Sequence, residues 1–284
     1  MKLLRYGPRG QEKPGLLDEN GQIRDLSGKL NDLDGAALDP DRLAALSQID
    51  TDSLPVVEGT TRLGPPVSGV GKIIAVGINY AAHGEEAKID LPNEPILFSK
   101  AVTSLSAPND PVVLPQGSKK GDWEVELAVV IGRQAQYVSQ AEALDVIAGY
   151  SIMNDVSERE YQMERDGQWL KGKSFDTFAP LGPWLVTPDE VADPQNLNLW
   201  LELNGERMQD GTTADMIFGI SHLISSISQY MTLMPGDVIP TGTPTGVGFG
   251  RDPQVFLKPG DVMRLGIEGL GEQRQEVKAW EDVH

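Results

Sequence analysis

Two glutamates separated by one residue open the most informative stretch of the chain, Gly121-Asp122-Trp123-Glu124-Val125-Glu126-Leu127-Ala128-Val129-Val130-Ile131. Side chains two apart on a strand share a face, so Glu124 and Glu126 point the same way. Ala128 and Val130 continue that face, while Val125, Leu127, Val129 and Ile131 make the other one apolar, which implies a buried strand. Two carboxylates near an apolar core repel each other, and at least one takes up a proton unless a cation neutralises the pair. The chain has no cysteine, and oxygen donors suit Mg²⁺, Mn²⁺ or Ca²⁺. A strand end with both glutamates in water is the alternative that this strand alone leaves open. A third acid, Asp155, ends the run Tyr150-Ser151-Ile152-Met153-Asn154 and precedes a charged, helix-like segment that Ser157 is expected to cap. A turn or capping role is the alternative for Asp155 itself. Three carboxylates would supply part of a Mg²⁺ octahedron and leave positions for water and a chelating substrate. Arg159 and Gln162, three apart on one helix face, would hold an anionic substrate beside the metal.

His83-Gly84-Glu85-Glu86 is a second constellation, shortly after the turn Gly77-Ile78-Asn79. On one helical turn the Glu86 carboxylate can orient the His83 ring and raise its basicity, which makes a general base; a surface histidine between acids is the plainer alternative. The polar segment Gly84 to Asn93 would serve as a lid over it. Gly167-Gln168-Trp169-Leu170-Lys171-Gly172-Lys173-Ser174 matches the phosphate-loop pattern letter for letter, but the residues before it are charged where a phosphate loop needs an apolar strand, and Trp169 and Leu170 are bulky. Lys173 is therefore expected to meet a substrate or a carboxylate.

The elements that must position these groups are mostly short strands. The sequence predicts them at Lys2–Tyr6, Gly15–Asp18, Lys72–Val76, Ile96–Phe98, Val112–Leu114, Glu124–Ile131, Tyr150–Met153, Trp184–Thr187, Leu197–Asn204, Val238–Thr241, Val262–Ile267 and Gln275–Trp280. Ile217, Ile220, Ile224, Ile227, Met231 and Met234 recur at helical spacing before Pro235-Gly236, with His222 as an ordinary packed or solvated member of that helix; a shorter helix is expected at Asp39–Gln48. The Gly- and Pro-rich stretch Leu63 to Gly71 marks a boundary between a small α+β unit, residues 1–68, and a main domain, residues 69–284. Twenty-four Lys and Arg against 42 Asp and Glu leave a net charge of −18, and no basic cluster offsets it, so neither nucleic acid nor an anionic membrane is an expected partner. No apolar run approaches the roughly 18 residues of a membrane span, and Met1 to Gly10 has no signal-peptide hydrophobic region, so the expected compartment is the cytoplasm.

Taken together, the motifs resemble those of the fumarylacetoacetate hydrolase superfamily across roughly Val70 to Trp280. The resemblance rests on Gly77 to His83 with Glu86, Glu124-Val125-Glu126, Asp155 with Arg159 and Gln162, Lys173-Ser174-Phe175, and Thr241-Gly242-Thr243-Pro244-Thr245-Gly246-Val247-Gly248, in the family's order. It implies a β-rich α+β fold with a mixed β-roll, and Mg²⁺ or Mn²⁺ on Glu124, Glu126 and Asp155, with Ca²⁺ as a substitute. It implies a His83–Glu86 dyad that activates water, Lys173 at the reacting carbonyl, and Arg159, Gln162 and Thr243 near the substrate carboxylate. The implied partner is a small anionic 2-oxo acid and the implied assembly a homodimer. The implied reaction is hydrolysis of a C–C bond in a 2,4-dioxo acid, an acylpyruvate or a 2,4-diketo-3-deoxy sugar acid of the fuconate or rhamnonate type, releasing pyruvate or a related 2-oxo acid. The alternatives are decarboxylation of an oxaloacetate-type β-keto acid, a ureidoglycolate lyase-like reaction, and non-catalytic binding of a small acid.

Overall fold

The computed structural model describes residues 1–87 and 90–283. Strand Val125–Ile131 is buried along its whole length because both its faces are apolar. Val125, Leu127, Val129 and Ile131 pack into one core, shared with Trp123, Leu199, Leu265 and Ile224; Ala128 and Val130 pack into a second, with Leu3, Leu181 and Val238. The strand alternation read from sequence is thus the division between two cores.

Around this strand lies a mixed sheet whose main path runs through strands Ile23–Asp25, Lys13–Leu17, Lys2–Tyr6, Ala179–Val186, Ile147–Asn154, Val125–Ile131, Val238–Pro240, Ile73–Gly77 and Ile96–Lys100. A second sheet orders Glu206–Thr212, Asn198–Leu203, Val262–Ile267, Gly271–Ala279 and Val112–Leu114. The result is the β-rich α+β fold expected. Val125 pairs with Asn154 and Ala128 with Pro240 in antiparallel register, while Val238 pairs with Ile73 in parallel. The start of strand Val125–Ile131 and the ends of its neighbours therefore meet at one rim, where Glu124, Asp155, Thr241 to Thr243 and the turn before His83 emerge.

The leading residues are tied into the same sheet. Lys2 and Leu3 pair with Val186 and Leu185, and Leu3, Leu16, Leu26, Leu33 and Leu38 share the second core with Ala148, Leu181 and Leu185. Two local expectations need correction, and one strand is added. The apolar stripe from Ile217 to Met234 forms a helix over Ile220–Tyr230 only, because Ile217 donates its N–H to Asn79 rather than to a helical turn. Ser157 does not cap the helix Arg159–Met163; Glu158 does, accepting from the Tyr161 N–H, while Ser157 Oγ donates to the Asp155 carbonyl. Polar strand Glu206–Thr212 was not among the predicted strands. The segment Gly84–Asn93 expected as a lid contains the helix Ala81–Ala87 in part, and its Lys88 and Ile89 lie outside the described residues. No helix among the described residues is long and apolar enough to cross a membrane.

Candidate active site

Glu124 and Glu126 do not face water: they are 5% and 1% exposed, and Asp155 is fully buried. One carboxylate oxygen from each of the three lies within 4.8 Å of the others. The Asp155 N–H donates to the Glu124 carbonyl at 2.9 Å, which pins the two chain segments together. Glu126 Oε2 accepts from the Gly242 N–H at 2.8 Å. Gly242 has a φ of +98°, and a Cβ there would stand 2.8 Å from Asn79 Cβ, so glycine is required for this close approach.

Buried cations interleave with the acids. Lys173 Nζ lies 2.8 Å from both Glu124 Oε2 and Asp155 Oδ2, and Lys100 Nζ lies 2.5 Å from Asp155 Oδ1. Arg159 donates through Nε to Asp122 at 2.8 Å and through Nη1 to Gln162 at 2.9 Å, and its Nη1 also lies 2.8 Å from Glu124 Oε1. Its Nη2 is buried with no partner. Asp122, itself fully buried, also accepts from the N–H groups of Trp123, Gly248 and Phe249. Burial pushes the Glu126 carboxyl well above the usual carboxylate range, and the charges of Asp155 and Glu124 push it further. Burial also works against ionised Glu124, but Lys173 and Arg159 outweigh it and hold that carboxyl low. Lys173 is raised because Asp155 and Glu124 outweigh its desolvation, whereas desolvation wins at Lys100 and lowers it. Three convergent oxygen donors, one on a carboxyl whose ionisation is opposed by burial and by its acidic neighbours, mark a place for a further cation. The donor set fits a hard divalent ion.

His83 Nδ1 lies 3.2 Å from Glu86 Oε2, and Glu86 Oε1 accepts from the Gly246 N–H at 3.0 Å. The turn that leads into the helix Ala81–Ala87 is fixed by Asn79, which donates to the carbonyls of Phe218 and Thr241 and accepts from the Phe218 N–H. Thr243 borders the site, but its hydroxyl donates to the Val125 carbonyl and accepts from Gln209, so its proton is already engaged. The segment Gly167–Ser174 follows a bend and a helix rather than a strand, and Lys173 turns inward to the acids, which removes the phosphate-loop alternative.

His83, Glu124, Glu126, Arg159, Gln162, Lys173 and Thr243 all line one cleft of about 500 Å³, counting its open mouth. Glu86 and Asp155 stand directly behind His83 and Lys173. Lys100, Asp122 and the cleft's aromatic residues Phe98, Trp169 and Phe249 were missed from sequence. A lysine closing a strand looks like a solvated edge residue, and nothing local marks Lys100; Asp122 sits two residues before Glu124 and carried a signal that strand alternation alone would have extended to it.

The family model described as fumarylacetoacetate (FAA) hydrolase, C-terminal, matches residues 72–278. The chain is 57% identical over 281 residues to a 2,4-didehydro-3-deoxy-L-rhamnonate hydrolase of Sphingomonas sp. strain SKA58, covering 99% of this chain and 97% of that one. Among solved structures, the maleylpyruvate hydrolase of Sphingobium sp. SYK-6, in complex with manganese(II) ion and pyruvate, superposes with a TM-score of 0.83 at 30% identity, covering 98% of this chain and 99% of that one. A fumarylacetoacetate hydrolase from Exiguobacterium antarcticum superposes with a TM-score of 0.84 at 34% identity, covering 98% and 99%. Sequence match and fold agree, and the chain belongs to the fumarylacetoacetate hydrolase family.

Proposed function

We propose that this protein is a hydrolase that cleaves the C3–C4 bond of a 2,4-dioxo acid with the aid of a divalent metal ion. The observation that carries it is the meeting, in one cleft, of three convergent buried carboxylates, an arginine with an unpartnered donor, and a histidine–glutamate pair. Glu124, Glu126 and Asp155 would hold the ion, which when bound supplies positive charge beside the substrate's 2-oxo group and carboxylate. Mg²⁺ or Mn²⁺ is the ion of choice, in line with the manganese in the maleylpyruvate hydrolase structure; Ca²⁺ suits the same oxygens.

Arg159 turns its free Nη2 to the substrate carboxylate, with Gln162 fixing the guanidinium from the other side. His83, oriented by Glu86, takes a proton from water as the water oxygen bonds to C4. The C3–C4 bond then breaks, its electron pair stays with C3, and C3 takes up a proton to give pyruvate or a related 2-oxo acid. The C4 fragment leaves as a carboxylate. Lys173 places its ammonium at the cleft wall, where positive charge opposes the negative charge that grows on a carbonyl oxygen under attack. The partner is a small anionic 2-oxo acid, the working form a homodimer and the compartment the cytoplasm.

The test is pyruvate release from a panel of 2,4-dioxo acids with Mg²⁺ or Mn²⁺, beside oxaloacetate and ureidoglycolate. Pyruvate with an equal amount of the second acid is expected. Carbon dioxide from oxaloacetate with no dioxo acid cleaved would replace this function by decarboxylation, and ligand binding without any turnover would replace it by a binding role.

A further inference from the structure

Resting on the 2,4-dioxo acid function above, we propose that the substrate carries a single carboxylate and an uncharged, carbon-rich tail, and that Phe98, Trp169, Met163 and Phe249 form the subsite for that tail. The cationic side chains of the cleft's described lining are Arg159 and Lys173, and acids already hold both: Lys173 lies between Glu124 and Asp155, and Arg159 is bound to Asp122 and Glu124. Arg159 Nη2 is the one buried side-chain nitrogen or oxygen of that lining with no partner. One free donor on a fixed guanidinium answers one substrate carboxylate.

Among the described residues, the rest of the wall offers no cation to a second. Phe98 and Trp169 meet edge to face with ring centroids 5.3 Å apart. Trp169 lies so close over Gly77 that a Cβ there would come within 2.4 Å of the indole, so this backbone position is shaped to seat the ring. Phe249 stands 5.9 Å from the Arg159 guanidinium, so the apolar wall begins beside the carboxylate-binding group. All four side chains keep part of their surface exposed, which leaves apolar area for a tail to cover. A carboxylate pressed against this wall would lose its hydration with nothing to replace it. The structure thus separates two substrate types within one reaction: neutral-tailed acids, as the name of the Sphingomonas relative denotes, and two-carboxylate acids, as the name maleylpyruvate hydrolase denotes.

The experiment compares kcat/KM of the Mg²⁺-loaded protein for 2,4-dioxopentanoate, 2,4-dioxoheptanoate and 2,4-dioxoheptanedioate. The two monocarboxylates are expected to exceed the dicarboxylate by ~10²-fold or more, because an unpaired buried charge is a heavier handicap than a missing methylene. Met163→Arg, at the exposed end of its helix, places a cation at the tail subsite and should narrow that gap ~10-fold, with unchanged thermal melting. Trp169→Ala should lower kcat/KM for the heptanoate more than for the pentanoate. Equal or better cleavage of the dicarboxylate overturns the proposal and leaves the reaction standing. A gap untouched by Met163→Arg, with no chain-length effect of Trp169→Ala, overturns the location of the subsite. Failure to cleave any of the three acids overturns the proposed reaction together with this inference.

Discussion

Asp155 carries two jobs on two oxygens, since Oδ1 faces Lys100 and Oδ2 faces Lys173. Asp155→Asn keeps the volume but halves the acceptor capacity and removes the charge, so Mn²⁺ affinity should fall at least ~10-fold, with pyruvate release falling in parallel. Loss of the free Mn²⁺ signal in an electron paramagnetic resonance titration measures this without turnover. His83→Ala should behave differently: kcat drops ~10²–10⁴-fold while Mn²⁺ still binds, because the ring approaches Glu86 rather than Asp155. A change confined to KM would contradict its role as base. At this scale most of the site was legible. Glu124 and Glu126 announced themselves by strand alternation, and Arg159 with Gln162 by helical spacing. Lys100 was hidden because its partner, Asp155, lies 55 residues away, and no local pattern encodes a contact of that span.

Elements were legible where periodicity was strong and obscure where turns or long-range pairing decided. Val112–Leu114 and Val262–Ile267 have the predicted bounds, and the buried run Val125–Ile131 falls within them. Strand Glu206–Thr212 carries little hydrophobic alternation, and its pairing with Asn198–Leu203 is set by the turn Asn204-Gly205, where both residues have positive φ. Asn-Gly is a strong hairpin signal, and it would have found this strand. The turn that leads out of Val238–Pro240 makes an equally local demand at Gly242. Gly242→Ala should cost about 1–3 kcal/mol of stability in urea unfolding and weaken Mn²⁺ binding, because the added methyl moves the N–H away from Glu126. Elsewhere, burial opposes ionisation of Glu12, but the hydrogen bond from Arg62 and the charge of Arg5 hold its carboxyl below the ordinary glutamate value. Ionised Glu12 therefore adds stability above the ordinary glutamate range, and that contribution is lost as pH falls from there through the lower folded value. Glu12→Gln should lower the melting temperature by a few degrees at pH 7, and the gap to the unaltered protein should close in acid.

For the whole molecule, the sign of the charge shapes what can bind. At −18, the protein repels a small dianion at long range, so tight binding of oxalate needs a local cation. Oxalate resembles the planar, chelating end of a 2-oxo acid and should raise the melting temperature with Mg²⁺ present and not with a chelator. Stabilisation that persists in chelator would contradict the metal site. The leading residues were legible as elements but not in their attachment, since Lys2 pairs with Val186, about two-thirds of the chain away. Water attack at C4 of a 2,4-dioxo acid is checked by cleaving 2,4-dioxopentanoate in ¹⁸O-water with Mg²⁺ and analysing both products by mass spectrometry. One ¹⁸O is expected in the carboxylate of the released acetate and none in the carboxylate of pyruvate, with labelled acetate forming ~10²–10⁴-fold more slowly in His83→Ala. Released carbon dioxide, or acetate without ¹⁸O, would contradict it.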